Sequence, residues 1–166
     1  MSEEMFKKVE TSADISILVS VARTIWTEHY TPIIGSAQVD YMLENFHSKE
    51  TVAKQIDDEN YHYYLIKVDN AAVGYFGVQV KENELFLSKL YVCSSQRGKG
   101  IGRQSLVLIE HLGKQFGVGV ISLTVNKNNS KSIAAYYRFG FVKTGEVCVD
   151  IGDSYVMDDI TMELSI

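Results

Sequence analysis

Cysteine, proline and tryptophan are scarce in this chain of 166 residues, which holds two, one and one of them. Cys93 and Cys148 stand far apart and make no disulfide framework, and no CxxC spacing points to zinc. With the single proline at Pro32 and no repeat or low-complexity tract, nothing reads as a linker. One domain over residues 1–166 is expected, long enough to bury a core. Long hydrophobic runs are missing too: none nears the roughly 18 residues of a membrane span, so no membrane partner is expected. The start, Met1-Ser2-Glu3-Glu4, is acidic, unlike a secretory or mitochondrial leader, and a cytoplasmic location is expected. Positive charge is in deficit, with 16 Lys and Arg against 21 Asp and Glu, a formal charge of -5. Nucleic-acid binding needs a basic face, so that class is set aside. His47, His62 and His111 show no ligand spacing, and no metal is expected.

What is present reads as an ordinary folded domain, since 46% apolar and 22% charged residues exclude disorder. Phe6 to Glu10 suits a short strand, and Thr11-Ser12-Ala13-Asp14 matches a capping box that opens a helix. Ile15, Leu18, Val19, Ala22, Ile25, Trp26, His29 and Tyr30 then follow at helical spacing, with Pro32 barring a simple continuation. Ser36 to Phe46 and Lys49 to Asp58 suit a second and a third helix. Tyr61 to Val68, Ala71 to Lys81 and Glu84 to Val92 read as a meander, with Asp69-Asn70 and Glu82-Asn83 as turns. A helix after Gly100 is followed by an apolar strand, Val120 to Val125, expected to be covered on both faces. A short helix from Ser130 to Phe139, with Gly140 as its C-cap, precedes strands Phe141 to Val149 and Tyr155 to Leu164. The order β-α-α-β-β-β-α-β-α-β-β gives an α/β fold with a mixed sheet flanked by helices.

The densest chemical signal is Arg97-Gly98-Lys99-Gly100-Ile101-Gly102-Arg103, between a strand and a helix. Alternating glycines admit positive φ and close backbone approach. The helix start offers unpaired amides and the positive end of the macrodipole. Such an end attracts phosphate, and Arg97, Lys99 and Arg103 add charge around it. Neither the P-loop string nor the dinucleotide fingerprint GxGxxG fits this spacing, which disfavours ATP and NAD.

This string, following Leu90-Tyr91-Val92, resembles the acyl-CoA signature R/Q-x-x-G-x-G/A of the GNAT superfamily of N-acetyltransferases, met at Arg97, Gly100 and Gly102. Asn129 to Phe141, with an Asn seven residues before Tyr136 and a closing Gly-Phe, is similar to that family's second motif. The resemblance implies a single GNAT-like acyltransferase domain using acetyl-CoA as co-substrate. It places coenzyme A between the strand ending at Val92 and the strand from Val120. Backbone groups of Leu90, Tyr91 and Val92 would meet the pantetheine arm and the acetyl carbonyl. Amides from Gly98 through Lys99, Gly100, Ile101 and Gly102 to Arg103 would hold the diphosphate, and Asn129 would touch the coenzyme. Tyr136 matches the proton donor to the departing thiolate, although helical periodicity alone does not separate it from Tyr137. A phenol near 10 protonating a thiolate near 8.5 is uphill by roughly 2 kcal/mol, which a modest environmental shift covers.

The resemblance implies an amine-bearing small molecule or peptide as acceptor. Many members place a glutamate five residues before the motif's asparagine, where this chain has Thr124. Glu28, His29, Glu44 and Glu84 are the substitutes considered as base, and Trp26, Tyr30, Asp40, Tyr41 and Glu44 the candidate acceptor surface. The Leu-Tyr-Val strand and aromatic first helix resemble a bacterial branch that includes polyamine acetylators. A non-catalytic acyl-CoA sensor on the same fold and transfer of a longer acyl group are the alternatives. Cys93 reads as a packed thiol rather than an acyl carrier. Sheet edges and aromatic surfaces leave room for a homodimer.

Overall fold

A computed structural model describes residues 5–166; the acidic start Met1–Glu4 lies outside the described residues. Strand β1 spans Phe6–Lys8 and helix α1 Ser12–Ile34. The strand stops short of Glu10 because the backbone amides of Glu10 and Thr11 are claimed by Asp14, which accepts both at 3.0 and 3.2 Å. Thr11 accepts the Asp14 amide in return at 3.1 Å, completing the capping box. Lys7 pairs with the same carboxylate at 2.9 Å.

Burial raises Asp14, but the amides of Glu10 and Thr11 and the Lys7 ammonium outweigh it and hold its pKa at about 2. A depressed carboxylate contributes stability above its unfolded pKa near 3.8 and loses it as pH falls toward 2. Asp14 is only 6% exposed, but the Lys7 side chain that pairs with it is 47% exposed, so solvent screening trims this contribution to about 1 kcal/mol. Asp14→Asn is expected to lower stability by about that amount at pH 7. Urea titrations should show the difference vanishing near pH 2.

Pro32 does not end α1. It sits on the exposed side of the last turn, where the missing N–H costs one bond to a hydrated carbonyl. The helix closes instead at Gly35, whose positive φ of 89° is readily adopted by glycine and whose amide donates to Thr31. Two further helices follow, α2 over Ser36–Phe46 and α3 over Lys49–Asp58. Three helices thus precede the meander, as the residue ranges predict, one more than the condensed order of elements counts. The break between α2 and α3 is made by Ser48, whose hydroxyl caps the Thr51 amide at 3.2 Å.

The meander is β2 Tyr61–Val68, β3 Ala71–Val80 and β4 Glu84–Val92. Asp69 and Asn70 both take positive φ, 52° and 65°, as a two-residue hairpin turn requires. Helix α4 Ile101–Gln115, strand β5 Val120–Asn126, helix α5 Ser130–Phe139 and the hairpin β6 Val142–Gly152 and β7 Tyr155–Ser165 complete the fold. One seven-stranded sheet runs β1-β2-β3-β4-β5-β7-β6, with β4 and β5 its only parallel pair. No helix is long and apolar enough to cross a membrane among the described residues.

Each face of the sheet buries its own core. Leu85, Leu87, Ile109, Ile121, Leu123 and Phe141 pack beneath α4, while Leu18, Ile25, Trp26, Tyr63 and Tyr75 pack under α1 to α3. Each such side chain contributes about 1.5–3 kcal/mol by leaving water. Strand β5 is not covered on both faces as expected. It buries Ile121, Leu123 and Val125 on one side and turns Ser122, Thr124 and Asn126 to the other. That second face opens on the site.

Candidate active site

The parallel strands β4 and β5 hold together only from Glu84 to Leu87 against Val120 to Leu123. Beyond that point β4 stays with β3 up to Val92, and β5 stays with β7 up to Asn126 opposite Asp159. The cause lies in the β3–β4 register, which jumps from Val78–Leu87 to Gly77–Lys89 and leaves Ser88 as an extra residue. A bulge bends its strand, and here it turns β4 away from β5. The result is a V-shaped notch in the middle of the sheet.

Strand alternation sorts the residues along its wall. The Cys93 amide donates to the Val73 carbonyl at 2.7 Å, so the backbone groups of Tyr91, two residues earlier, also turn toward β3. Gly74 is required there because a Cβ would strike the Tyr91 carbonyl. Leu90 and Val92 turn the other way, into the notch. Of the expected trio, Tyr91 therefore reaches the site with its side chain and not with its backbone.

The glycine turn closes one end of the notch. Gly98 and Gly100 take φ of 78° and 80°, and Gly100 is the N-cap of α4. Gly102 departs from expectation: it lies inside the first helical turn without positive φ. A Cβ added at Gly98, Gly100 or Gly102 would meet nothing within 4 Å. The first amide to find a helical acceptor is that of Gln104, which donates to Gly100 at 3.0 Å. Those from Gly98 to Arg103 have no acceptor among the described residues. Six free donors over an open cradle suit a diphosphate. The surrounding cations are turned aside. Arg97 donates to the Val92 carbonyl at 3.2 Å, Lys99 donates to Gln96 at 3.2 Å, and Arg103 lies over the Phe139 ring at 5.5 Å. To reach an anion at the amides, these three side chains would have to leave those partners.

Asn129 is buried at the N-cap of α5, where its oxygen accepts the Ser132 amide at 3.4 Å. That fixes which way the amide points. Its nitrogen therefore donates to His29 Nε2 at 3.0 Å, and Nε2 carries no proton. Burial, Arg97 and Lys131 all lower the His29 pKa, in keeping with a neutral ring. Arg97 stands 3.5 Å from the opposite nitrogen, which carries the neutral ring's proton and cannot accept from the guanidinium, so it is Asn129 that holds His29 at the rim.

Tyr136 points inward and packs edge-on against Phe141, while Tyr137 is 48% exposed. Burial raises the Tyr136 phenol well above 10, with a further push from Tyr30. Tyr30 and Tyr91 share a hydrogen bond of 2.7 Å, and burial lifts Tyr30 to about 12. Tyr30 and Tyr91 line a cavity of about 250 Å³ where the notch opens, and Tyr136 lies outside its lining, against Phe141.

Trp26, Tyr30, Tyr91 and Phe86 wall this cavity, and Trp26 is anchored by an indole bond of 2.8 Å to the Tyr75 hydroxyl. Lys89 also lines it; burial lowers its ammonium to about 8, and the Ser88 hydroxyl accepts from it at 2.9 Å. None of the four substitutes considered as base reaches the cavity. Glu28 accepts from Ser94, Glu84 is bonded to Ser122 at the far end of β4, Glu44 is exposed at the end of α2, and His29 is held by Asn129. Asp40 is exposed as well, and Tyr41 is spent on the Ile151 carbonyl at 2.9 Å. The acidic group that does line the cavity is Asp159, buried on β7. Sequence reasoning missed it, because its cavity neighbours Thr124 and Asn126 lie on β5, distant in sequence, and only the folded sheet brings them beside it.

Relatives share both the sequence pattern and the fold. The chain is 25% identical over 132 residues to the spermidine N(1)-acetyltransferase of Thermoplasma acidophilum, covering 77% of this chain and 82% of that protein. It is 34% identical over 68 residues to the spermine/spermidine N(1)-acetyltransferase of Bacillus subtilis, which is 40% of this chain and 45% of that one. The crystal structure of the PaiA N-acetyltransferase from Thermoplasma acidophilum in complex with coenzyme A superposes with a TM-score of 0.77 at 22% identity, over 97% of this chain and 99% of the other. The model of the Acetyltransferase (GNAT) family matches residues 22–141. That span is well over half of the molecule, and it contains the notch, the glycine turn and Tyr136. The chain belongs to the GNAT family of acetyltransferases.

Proposed function

We propose that this N-acetyltransferase moves the acetyl group of acetyl-CoA to a primary amine of a small polyamine-like acceptor. The observation that carries the acceptor side is the aromatic cavity with one buried carboxylate at the open end of the notch. Aromatic faces and a carboxylate together receive an ammonium. The polyamine relatives in two organisms support the same class. Acetyl-CoA supplies an activated acyl carbon joined to a good leaving group. The chain's own residues do the rest. Amides from Gly98 to Arg103 grip the diphosphate, and the backbones of Leu90 and Val92 align the pantetheine arm. An amide from this wall stabilises the oxyanion, a role that commonly contributes a few kcal/mol. Tyr136 gives a proton to the sulfur. Asn129 orders the start of α5 and holds His29 at the rim, and so acts on the coenzyme from beside it.

Lys89 favours a second acceptor class. A cation inside the same cavity suits an amine that also bears a carboxylate or carbonyl, such as an amino acid or a peptide end. A purely coenzyme-sensing role is disfavoured, since a sensor has no use for an acceptor cavity against the thioester position. We place the protein in the cytosol, in keeping with its two free thiols, Cys93 and Cys148.

The deciding assay offers acetyl-CoA with a panel of polyamines, amino acids and short peptides, read as free thiol release. Turnover is expected with spermidine or spermine. Turnover confined to amino acids or peptides transfers the assignment to the second class, and coenzyme binding without any turnover overturns both.

A further inference from the structure

Thr124 stands where the family resemblance implies a glutamate in many members, and the cavity holds another carboxylate, Asp159, on the neighbouring strand. Asp159 on β7 lies opposite Asn126 of β5, and Thr124 lies opposite Thr161. Asp159 and Thr124 are thus diagonal cross-strand neighbours on one face of the sheet, close enough for their side chains to interact. Thr124, Asn126 and Asp159 all line the same cavity.

Asp159 is 7% exposed, and one of its carboxylate oxygens has no hydrogen-bond partner. A buried, incompletely satisfied carboxylate is costly to fold around unless something arrives to complete it. Structural duty does not account for it either, because it forms no ion pair; the nearby Lys127 is bound instead to Asp158. We propose that Asp159 is the group that binds the acceptor's ammonium and removes its proton, a general base carried on β7 in place of one on β5.

Every proton has a destination. The ammonium nitrogen gives one proton to the Asp159 carboxylate, which later releases it to solvent. The freed lone pair forms the C–N bond as the C–S bond breaks. Tyr136 protonates the departing sulfur and is restored by the second proton leaving nitrogen. Burial, with Asp158 beside it, raises the Asp159 pKa, while the Thr124 hydroxyl partly offsets the rise. A raised carboxylate is the stronger base for this step. The other titratable groups facing it are Tyr30 from α1 and Lys89 and Tyr91 from β4, which share the cavity. The two phenols stay neutral in the working range, and Lys89 titrates on the alkaline side, near 8.

This assignment rests on the N-acetyltransferase reading, and the test separates the two. The full chain is assayed with acetyl-CoA and spermidine as the probe acceptor, following thiol release as a function of pH. The parent is expected to show an acid limb in kcat/KM. Asp159→Asn should lower kcat/KM by about 10²-fold or more, flatten that limb, and leave acetyl-CoA affinity unchanged. Adding Thr124→Glu to Asp159→Asn should return at least about tenfold of the lost rate by restoring a carboxylate from β5. Should Asp159→Asn not fold, Asp159→Glu serves instead and is expected to keep the limb. A parental rate in Asp159→Asn overturns the assignment. So does a loss with the pH profile unmoved and no recovery in the double variant. If the parent turns over a different amine from the panel, that amine replaces spermidine; a parent that turns over none defeats the N-acetyltransferase reading itself, and the base with it.

Discussion

Tyr136→Phe is expected to lower kcat by about 10²- to 10⁴-fold while acetyl-CoA binds as before. The ring keeps its place, since its packing partner Phe141 is an aromatic face that needs no hydroxyl. Only the proton is lost. Burial also makes the donor weaker, because a phenol raised well above 10 gives up its proton less readily than a solvated one. The same water-poor surroundings raise the thiol that forms beside it, so the two shifts run in parallel and the gap stays modest. The raised pKa also keeps the donor protonated throughout the working range. Tyr137→Phe is the control, expected to be silent because that side chain is nearly half exposed. Steady-state kinetics and calorimetric titration with acetyl-CoA check both. A parental kcat in Tyr136→Phe removes the phenol from the reaction.

Gly102→Val should raise the KM for acetyl-CoA by about 10²-fold, equivalent to about 2.7 kcal/mol, without loss of fold. The usual objection to replacing a glycine in such a turn does not apply here. Gly102 has helical backbone angles, so a side chain strains nothing, and valine is the better helix former. A Cβ there meets nothing within 4 Å in the free protein, whereas a diphosphate held by the neighbouring free amides would be crowded by a valine side chain. Stability and binding therefore part company: thermal melting unchanged or slightly raised, coenzyme affinity reduced. Gly102→Ala, with a single methyl, should keep most of the affinity. Gly100 would not make this separation, since its φ of 80° penalises any side chain in the free protein too.

Local chemistry was the readable part of this molecule. The capping box at Thr11 and Asp14, the Asp69-Asn70 turn and the Gly140 cap stand where residue preferences put them. Helix Ser130–Phe139 and strands Tyr61–Val68 and Glu84–Val92 carry the expected bounds, because each is flanked by turn-forming residues. Pro32 misled because a proline near a helix end loses only one bond. The bulge at Ser88 has no signature in β4 itself; it is a property of pairing with β3, and pairing partners are distant in sequence. Asp159 escaped for the same reason. Its importance comes from lying diagonal to Thr124 across β5 and β7, which only the folded sheet brings about. Helical periodicity alone does not separate the two tyrosines of α5; the motif register favours Tyr136, and that is the one packed inward against Phe141 while Tyr137 is exposed.

The parallel pairing of β4 with β5 is short, and among the described residues it is the one strand-to-strand pairing between β1 to β4 on one side and β5, β7 and β6 on the other. A molecule built this way resembles two boards joined edge to edge along only part of their length. Anything lying in the V touches both boards and acts as a splint, adding to the core beneath α4 and the α2 bonds to Ile151 and Val156 that already tie the halves together.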